Sequence, residues 1–255
     1  MQLAFSNAVM PYTEAEVILE QIAGKFKRWE IAAELNFYLP ENEKKLSSLL
    51  SSYDIRPQIH APFSDINPAS LYPKAREFAW ETIRKCIESA SGMNASPVTF
   101  HPGTLSPMGE KVSEKVLQYN AMFVRQVARW SEEYSVTCLL ENMPDMKILL
   151  MKSPSEMYPL LDETGLKMCL DLGHANTLHN IDSWLSDNGR IERISNIHAH
   201  DNMGSRDEHL AVGEGSIGWK NIKKRLCASN HIWTLEVKSF EDALSSKKLL
   251  ENLDV

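Results

Sequence analysis

Short apolar runs that read as β-strands recur along this chain, and most of them end in a histidine or a carboxylate. Six of these runs are RPQIHAP, SPVTFHP, TCLLENM, KMCLDLG, SNIHAHD and WTLEVK, and a loop, RDEH, precedes the last one. A barrel of parallel strands gathers the carboxyl ends of its strands at one rim. Imidazole nitrogens and carboxylate oxygens are the usual ligands of zinc and similar ions. The pattern predicts a metal site whose candidate ligands are His60, His101, Glu141, Asp171, His174, His198, Asp207, His209 and Glu236.

Strand-like and helix-like segments alternate along the whole chain. The predicted strands lie at 3–6, 28–34, 56–62, 96–102, 137–143, 167–173, 195–201 and 233–238. The predicted helices lie at 13–26, 41–53, 72–92, 109–134, 153–163, 180–188, 217–228 and 239–253. This alternation predicts an α/β fold, a (β/α)8 TIM barrel. Such a barrel needs about 250 residues, so a chain of 255 residues without a linker predicts a single TIM-barrel domain over residues 1–255.

Strand periodicity predicts which side chains point into the barrel, because successive side chains of a strand alternate between its two faces. In RWEIAAE, the apolar residues Trp29 and Ile31 should face the helices and leave Glu30 and Glu34 inside. The same parity predicts further inward residues: Gln58, His60, Thr99, His101, Asn196, His198, His200, Thr234, Glu236 and Lys238. Polar groups are functional at a barrel mouth but costly inside an apolar core, so their place near the strand ends favours a site.

Composition limits the partners that we expect. No apolar run approaches the ~20 residues of a membrane span, and no basic region followed by a long apolar stretch opens the chain. We therefore expect a cytoplasmic protein that does not bind membranes. The formal charge of −7 argues against broad nonspecific attraction to nucleic acid. The cysteines form no CxxC pair and are predicted to be free, buried thiols: Cys86, Cys138, Cys169 and Cys227.

The order of the motifs resembles the xylose-isomerase-like TIM barrel superfamily, which includes sugar phosphate isomerases and epimerases and the endonuclease IV type of abasic-site (AP) endonuclease. HPG, LEN, LDxxH, IHxHD, DxH, GEGxIGW and LEV follow one another over nearly the whole chain. Resemblance to the sugar enzymes implies one divalent ion held by Glu141, Asp171, His198 and Glu236. Resemblance to endonuclease IV implies three zinc ions held by all nine candidate ligands.

The leading interpretation is a metal-dependent isomerase or epimerase that acts on a sugar or sugar phosphate. A divalent ion polarises a carbonyl group and its neighbouring hydroxyl group, and carboxylates then move the proton of the adjacent carbon. The resemblance to epimerases assigns this acid/base role to Glu141 and Glu236. Three carboxylates against one divalent ion leave a charge of about −1, which suits a neutral substrate. The candidate substrate-binding residues are Glu34, His174, His200, Arg206 and Lys238.

The alternative interpretation is a trinuclear-zinc hydrolase of the endonuclease IV type that acts on abasic-site DNA, on a smaller phosphoester or on another hydrolysable substrate. Four carboxylates against three zinc ions leave about +2, a charge that would attract phosphate. DNA is not the favoured partner, because the predicted loops carry no continuous basic stripe and Asp65 would repel phosphate. Phe63 could act as a wedge in a damaged duplex, although aromatic residues at a barrel mouth more often close over a small substrate. We expect one to three ions, with zinc first and manganese, magnesium or cobalt as alternatives.

Two local features carry narrower predictions. The segment GEGSIGW, residues 213–219, could hold a phosphate or a carboxylate on its free backbone N–H groups, or could simply be a turn. Thr13, Ser153 and Ser239 precede predicted helices and are candidate N-caps.

Overall fold

Eight parallel strands form a closed barrel in the computed structural model, which describes residues 1–186, 188–226 and 230–254 but not the side chains of residues 188 and 189. Each strand pairs with its neighbours in sequence, and the eighth pairs with the first. This topology confirms the predicted (β/α)8 barrel. The strands are β1 Gln2–Ser6, β2 Arg28–Ala32, β3 Arg56–His60, β4 Val98–Phe100, β5 Cys138–Glu141, β6 Lys167–Asp171, β7 Ile194–Ala199 and β8 Ile232–Leu235.

Helices follow the strands and cover the outside of the barrel. They are α1 Ala15–Ile22, α2 Leu39–Leu50, α3 Pro73–Gly92, α4 Ser113–Glu133, α5 Pro154–Thr164, α6 Leu172–Thr177, α7 Ile181–Trp184, α8 Asn188–Ile191, α9 Trp219–Leu226 and α10 Phe240–Asn252. The α6 helix was not predicted, and two short helices, α7 and α8, lie where one was expected over 180–188. Residues 227 and 228 of the predicted helix 217–228 lie outside the described residues.

The apolar face of each strand packs against these helices. Its buried members include Phe5, Trp29, Ile31, Ile59, Val98, Phe100, Leu140, Leu170, Ile197, Trp233 and Leu235. Full burial of such side chains contributes about 1.5–3 kcal/mol each. Because these apolar residues alternate with polar ones, the polar side chains point into the barrel, and the predicted parity is confirmed within the strands. Lys238, which was also predicted to point inward, lies after β8 and is exposed. Glu30, Gln58, Thr99, Asn196 and Thr234 are all 0% exposed.

The predicted helix caps were partly wrong. Ser239 does cap α10, because its hydroxyl oxygen accepts a hydrogen bond from the Asp242 amide at 3.1 Å. Ser153 precedes α5 without a capping side-chain hydrogen bond, and α1 begins after Glu14 rather than Thr13.

Three of the predicted free thiols, Cys86, Cys138 and Cys169, are buried and unpaired, whereas Cys227 lies outside the described residues. Burial raises the pKa of the Cys138 thiol to about 12 and keeps it protonated. Within the described part of the chain, no helix combines the length and the apolar character needed to cross a bilayer.

Candidate metal centre

A first group of donors lies at the ends of β3, β4 and β5. Glu141 Oε2 is 3.2 Å from His60 Nε2 and also 3.2 Å from His101 Nε2. The three donor atoms are close enough to surround one ion. Phe63 packs against both imidazoles, with ring centroids 5.1 Å from His60 and 4.9 Å from His101. This aromatic side chain therefore partly covers the first group.

A second group shares Glu141 with the first and adds donors from β6, β7 and the end of β8. His198 Nδ1 lies 3.1 Å from Glu141 Oε1 and 3.1 Å from Glu236 Oε2. Asp171 Oδ2 is 3.6 Å from the same nitrogen. All four residues are at most 6% exposed. Glu141 thus connects two groups, with one carboxylate oxygen turned towards each.

A third group lies around Asp207, in the loop between β7 and α9. Asp207 Oδ2 is 3.3 Å from His174 Nε2 and 3.1 Å from His209 Nε2. His200 also reaches this region, since its Nε2 lies 3.1 Å from Asp171 Oδ2 and 3.7 Å from Asp207 Oδ1. The structure therefore brings all nine predicted donors together and adds His200 beside them. His200 is fully buried, and its ring stacks on that of His209.

Backbone carbonyl groups orient three of the histidines. The Nδ1 atoms of His60, His174 and His209 lie 2.9, 2.7 and 2.8 Å from backbone oxygens of Ala61, Asn142 and Glu236, respectively. A carbonyl oxygen can only accept, so each Nδ1 donates and each Nε2 is free to face the cluster.

The loop that carries His209 is strained at this residue. The φ angle of His209 is +49°, a left-handed conformation that is uncommon for a residue with a side chain. Such strain clusters at functional sites and is maintained by the surrounding contacts. Here the hydrogen bond from the imidazole to the Glu236 carbonyl is one such contact.

Asn142 holds Asp171 in place, and Gly173 leaves room for His200. The Asn142 side chain accepts from the Asp171 amide at 2.7 Å and donates to the Asp171 carbonyl at 2.9 Å. Asp171 in turn caps α6, because its Oδ1 accepts from the His174 amide at 2.6 Å. A Cβ atom at Gly173 would lie 1.9 Å from His200 Cε1, so only glycine leaves room for this imidazole. Asn142 was not among the predicted site residues, although its position directly after Glu141 was a signal.

Three histidines of the cluster and its carboxylates stabilise each other's charged forms, whereas burial lowers the pKa of His101. Burial by itself lowers the pKa of His60 and His174, but Glu141 raises the first to about 9, while Asp171 and Asp207 raise the second to about 10. Burial also lowers the pKa of His209, but its hydrogen bond to Asp207 outweighs this effect and the pKa is raised to about 9.

The carboxylates shift in the opposite direction. Burial raises the pKa of Glu236, but the charge of His198 outweighs it and lowers the pKa to about 2. Histidine charge likewise holds the pKa of Glu141, Asp171 and Asp207 below the usual range, against the effect of burial. The carboxylates are therefore ionised near neutral pH, the form that binds cations.

The donor set fits a divalent metal. Imidazole nitrogens and carboxylate oxygens are the ligands that zinc uses in catalytic sites. Asp207 Oδ1 is buried without a hydrogen-bond partner among the described residues, which would be costly for a carboxylate unless a cation compensates it. The residues support metal binding, while the kind and number of ions stay predictions.

The remaining predicted substrate residues lie at the rim. Glu34 Oε1 accepts hydrogen bonds from the Phe63 and Ser64 amides, both at 2.7 Å, and so holds the loop that follows β3. Arg206 and Lys238 are exposed, and among the described residues neither forms a hydrogen bond or ion pair with the donor cluster. Substrate contact stays a prediction for Glu34, His174, His200, Arg206 and Lys238.

The GEGSIGW segment binds a carboxylate of this chain. Asp201 Oδ1 accepts from the Ile217 amide at 3.2 Å, and Asp201 Oδ2 accepts from the Gly213 amide at 3.0 Å. The Trp219 indole donates to the same oxygen at 2.7 Å. A Cβ atom at Gly215 would lie 2.2 Å from Asp201 Oδ1. Asp201 therefore satisfies these N–H groups, and this interaction, which the sequence analysis missed, fixes the loop next to the site.

Comparisons with known proteins agree with this architecture. A family model for the xylose isomerase-like TIM barrel matches residues 23–254. An uncharacterized protein of Methanocaldococcus jannaschii is 34% identical over an alignment that spans 98% of this chain and 88% of that protein. A solved structure of a D-tagatose 3-epimerase-like protein is 31% identical with a TM-score of 0.88, over 99% of this chain and 97% of that one. A probable endonuclease 4 of Clostridium beijerinckii is 27% identical over 64% of this chain and 63% of its own length.

Proposed function

The chain belongs to the xylose isomerase-like TIM barrel family, and on this basis we propose that it is a metal-dependent isomerase or epimerase of a sugar or sugar phosphate. The observation that carries the proposal is the convergence of two buried carboxylates, Glu141 and Glu236, on His198 Nδ1 at the floor of the barrel mouth. The likeness to a D-tagatose 3-epimerase-like protein over nearly the full length of both chains supports the same chemistry.

The proposed ligands of the reacting ion are Glu141, Asp171, His198 and Glu236. A bound divalent ion would stabilise the negative charge that develops on substrate oxygen atoms when a neighbouring C–H bond loses its proton. Glu236 is the better candidate for the base, because it is 6% exposed and contacts His198 through Oε2. Glu141 is 1% exposed, and both of its oxygens contact histidines. We therefore assign proton removal to Glu236 and proton return to Glu141, which would relay the proton of the His60 imidazolium 3.2 Å away. Proton exchange with solvent would then reset Glu236 and His60.

A second candidate function is hydrolysis by a multinuclear zinc site. The observation that favours it is the shared use of carboxylates: Glu141 connects the first and second groups, and Asp207 lies between His174 and His209. The first and third groups are surplus to an enzyme that needs one ion. The likeness to probable endonuclease 4 points in the same direction.

The rim favours a small substrate over duplex DNA in either case. Large apolar side chains are exposed in the loops that follow β1 to β5 and β7. Phosphate binding would require basic residues at these positions. These side chains are Tyr12, Leu35, Tyr72, Met108, Met146 and Met203. Charges in the same loops are mixed, as with Lys147, which pairs with Glu110.

Metal counting and parallel assays distinguish the two functions. The purified protein is analysed for bound metal and then assayed with ketoses, ketose phosphates and a duplex that contains an abasic site. One tightly bound ion with epimerisation would support the leading proposal and reject the hydrolase. Three zinc ions with strand or phosphoester cleavage would do the reverse.

Two variants sharpen the comparison. Glu236→Gln should lower either activity by about 10²–10⁴-fold, because it removes an acid/base group that is also a metal ligand. His101→Ala removes a donor that only the multinuclear site needs. Epimerisation should survive His101→Ala within about tenfold, whereas hydrolysis should be lost with the ion of the first group. Equal loss of epimerisation in both variants would contradict the one-ion assignment.

A further inference from the structure

A ring of four buried polar side chains lies inside the barrel below the donor cluster. Glu30, Gln58, Asn196 and Thr234 come from β2, β3, β7 and β8, and each is 0% exposed. Gln58 Nε2 donates to Glu30 Oε2 at 2.9 Å and to Thr234 Oγ1 at 2.8 Å. Thr234 Oγ1 donates to Asn196 Oδ1 at 2.7 Å, and Asn196 Nδ2 donates to Glu30 Oε2 at 3.0 Å. The hydrogen bonds thus close a ring that begins and ends at one carboxylate oxygen.

The direction of these hydrogen bonds follows from the chemistry of the groups. Glu30 Oε2 accepts from both Gln58 and Asn196, so the two amides turn their NH2 groups towards the carboxylate. The single hydroxyl proton of Thr234 then goes to Asn196 Oδ1, and the hydroxyl oxygen accepts from Gln58. No alternative orientation of the two amides satisfies the whole ring.

The Glu30 carboxylate also contacts His198. Glu30 Oε2, the oxygen within the ring, is hydrogen-bonded to His198 Nε2 at 3.3 Å. Glu30 Oε1 lies 3.2 Å from the same nitrogen but has no hydrogen-bond partner among the described residues. On the opposite side of the imidazole, His198 Nδ1 faces Glu141 and Glu236. The buried carboxylate and the donor cluster therefore lie on opposite sides of one ring.

His198 is oriented in the reverse sense to three other histidines of the cluster. His60, His174 and His209 present Nε2 to the cluster and donate from Nδ1 to a backbone carbonyl. His198 presents Nδ1, and its outer partner is a carboxylate. Outer partners of this kind fix the tautomer of a histidine ligand and increase its basicity.

We propose that Glu30 is a positioning residue for the metal site: it accepts a hydrogen bond from His198 Nε2–H and thereby keeps the lone pair of Nδ1 directed at the ion. The proposal rests on the metal binding in the proposed function, but it holds for either the isomerase or the hydrolase. Glu30 itself does not touch the ion or the substrate.

The ring makes the identity of residue 30 critical. In Glu30→Gln, Gln58 and Asn196 still require an acceptor, so the introduced amide would turn its oxygen towards them. Its NH2 group would then take the place of Oε1, 3.2 Å from His198 Nε2, and would favour the tautomer in which that nitrogen accepts. The imidazole proton would move to Nδ1, and Nδ1 could no longer bind a metal. A nearly isosteric substitution is therefore expected to invert the tautomer of a ligand it does not replace.

Zinc affinity is the quantity that tests this proposal. Competition with a chromophoric chelator is measured for the wild-type protein, Glu30→Gln and Thr234→Val, together with the melting temperature of each metal-free protein. Thr234→Val is the matched control, because it breaks the ring without removing the Glu30 carboxylate. We expect about 10–100-fold weaker zinc binding in Glu30→Gln, a change of less than threefold in Thr234→Val, and cooperative melting of the metal-free protein in both variants.

The histidine tautomer gives a second readout. In zinc-loaded protein labelled with ¹⁵N-histidine, the proton of His198 should reside on Nε2. A proton on Nδ1 of the wild-type protein would overturn the proposal, as would Glu30→Gln binding zinc within threefold of the wild type. Equal weakening in Thr234→Val would also overturn it, because the ring would then act only through packing. A wild-type protein that binds no zinc would instead remove the proposed function, and this inference with it.

Discussion

At the scale of single residues, Asp201 shows how one buried carboxylate can organise a loop. It accepts hydrogen bonds from the Gly213 and Ile217 amides and from the Trp219 indole, and it is 0% exposed. An amide at this position would direct its NH2 group at N–H donors and leave some of them unsatisfied. Each unsatisfied buried donor costs about 1–3 kcal/mol.

We therefore expect Asp201→Asn to lower the free energy of unfolding by about 2–4 kcal/mol, as measured by urea denaturation. The control is Asp162→Asn, the same substitution in an ion pair with Arg193 in which the Asp162 side chain is 60% exposed. The control should change stability by less than about 1 kcal/mol. Similar effects of the two substitutions would show that the loop does not depend on the buried carboxylate.

Single residues also mark the limit of the sequence analysis. Seven of the nine candidate metal donors could be proposed from the sequence because they lie at or just after the end of an apolar strand, where a barrel brings them to the mouth. The other two, Asp207 and His209, were proposed from the RDEH loop. The role of Glu30 could not be proposed, although its inward orientation was predicted. Its partner His198 is far along the chain, and the tautomer that links them depends on the hydrogen bonds of Gln58 and Asn196.

At the scale of secondary-structure elements, the loop between β3 and α3 depends on a residue from outside it. Glu34, just after β2, accepts from the Phe63 and Ser64 amides, and Phe63 packs against His60 and His101. A carboxylate of one loop thus holds the aromatic cover of the first donor group in place.

Hydrogen exchange tests this connection between loops. Glu34→Ala should increase amide exchange at Phe63 and Ser64 about tenfold or more, because two hydrogen bonds to a charged acceptor are lost. Glu41→Ala is the control, since Glu41 is exposed on α2. Unchanged exchange at Phe63 in Glu34→Ala would mean that the aromatic contacts alone hold the loop.

Elements with strong periodicity were predicted well, and short ones were not. The eight strands lie within or close to the predicted segments because their alternation of apolar and polar residues is regular. The α6 helix escaped prediction because it has only six residues and no amphipathic pattern. It begins directly after β6, where the Asp171 side chain caps it, so its formation depends on a residue that reads as the end of a strand.

At the scale of the whole molecule, the donor cluster should make stability depend on pH. The pKa values of His60 and His209 are raised to about 9, and that of His174 to about 10, from an ordinary value of 6.5. Protonated histidines therefore stabilise the metal-free fold fully below about pH 6.5, and this contribution is lost as the pH rises through 9 and 10. Carboxylates with lowered pKa values, such as Glu236 at about 2, stabilise the fold above their ordinary pKa and lose this effect in acid.

We expect the urea midpoint of the metal-free protein to fall between about pH 6 and pH 10, while zinc affinity rises over the same range because protons and metal compete for the same nitrogens. Denaturation with and without a chelator at several pH values measures both effects. A control variant, His231→Gln, changes a histidine whose pKa burial lowers and which lies outside the cluster, so it should retain the pH dependence. A metal-free midpoint that is constant or rises towards pH 10 would contradict the charge pattern.

The absence of a Cβ atom at Gly173, in α6, makes this position depend on His200, which directly follows β7. Because His200 occupies the volume that any larger residue at 173 would need, the two sites can change only together. An alanine at 173 would become acceptable once a smaller side chain replaced the imidazole, and a designer who wishes to alter this wall of the mouth must treat the pair as one unit. Redesign of the third donor group therefore starts with a glycine that touches no ion.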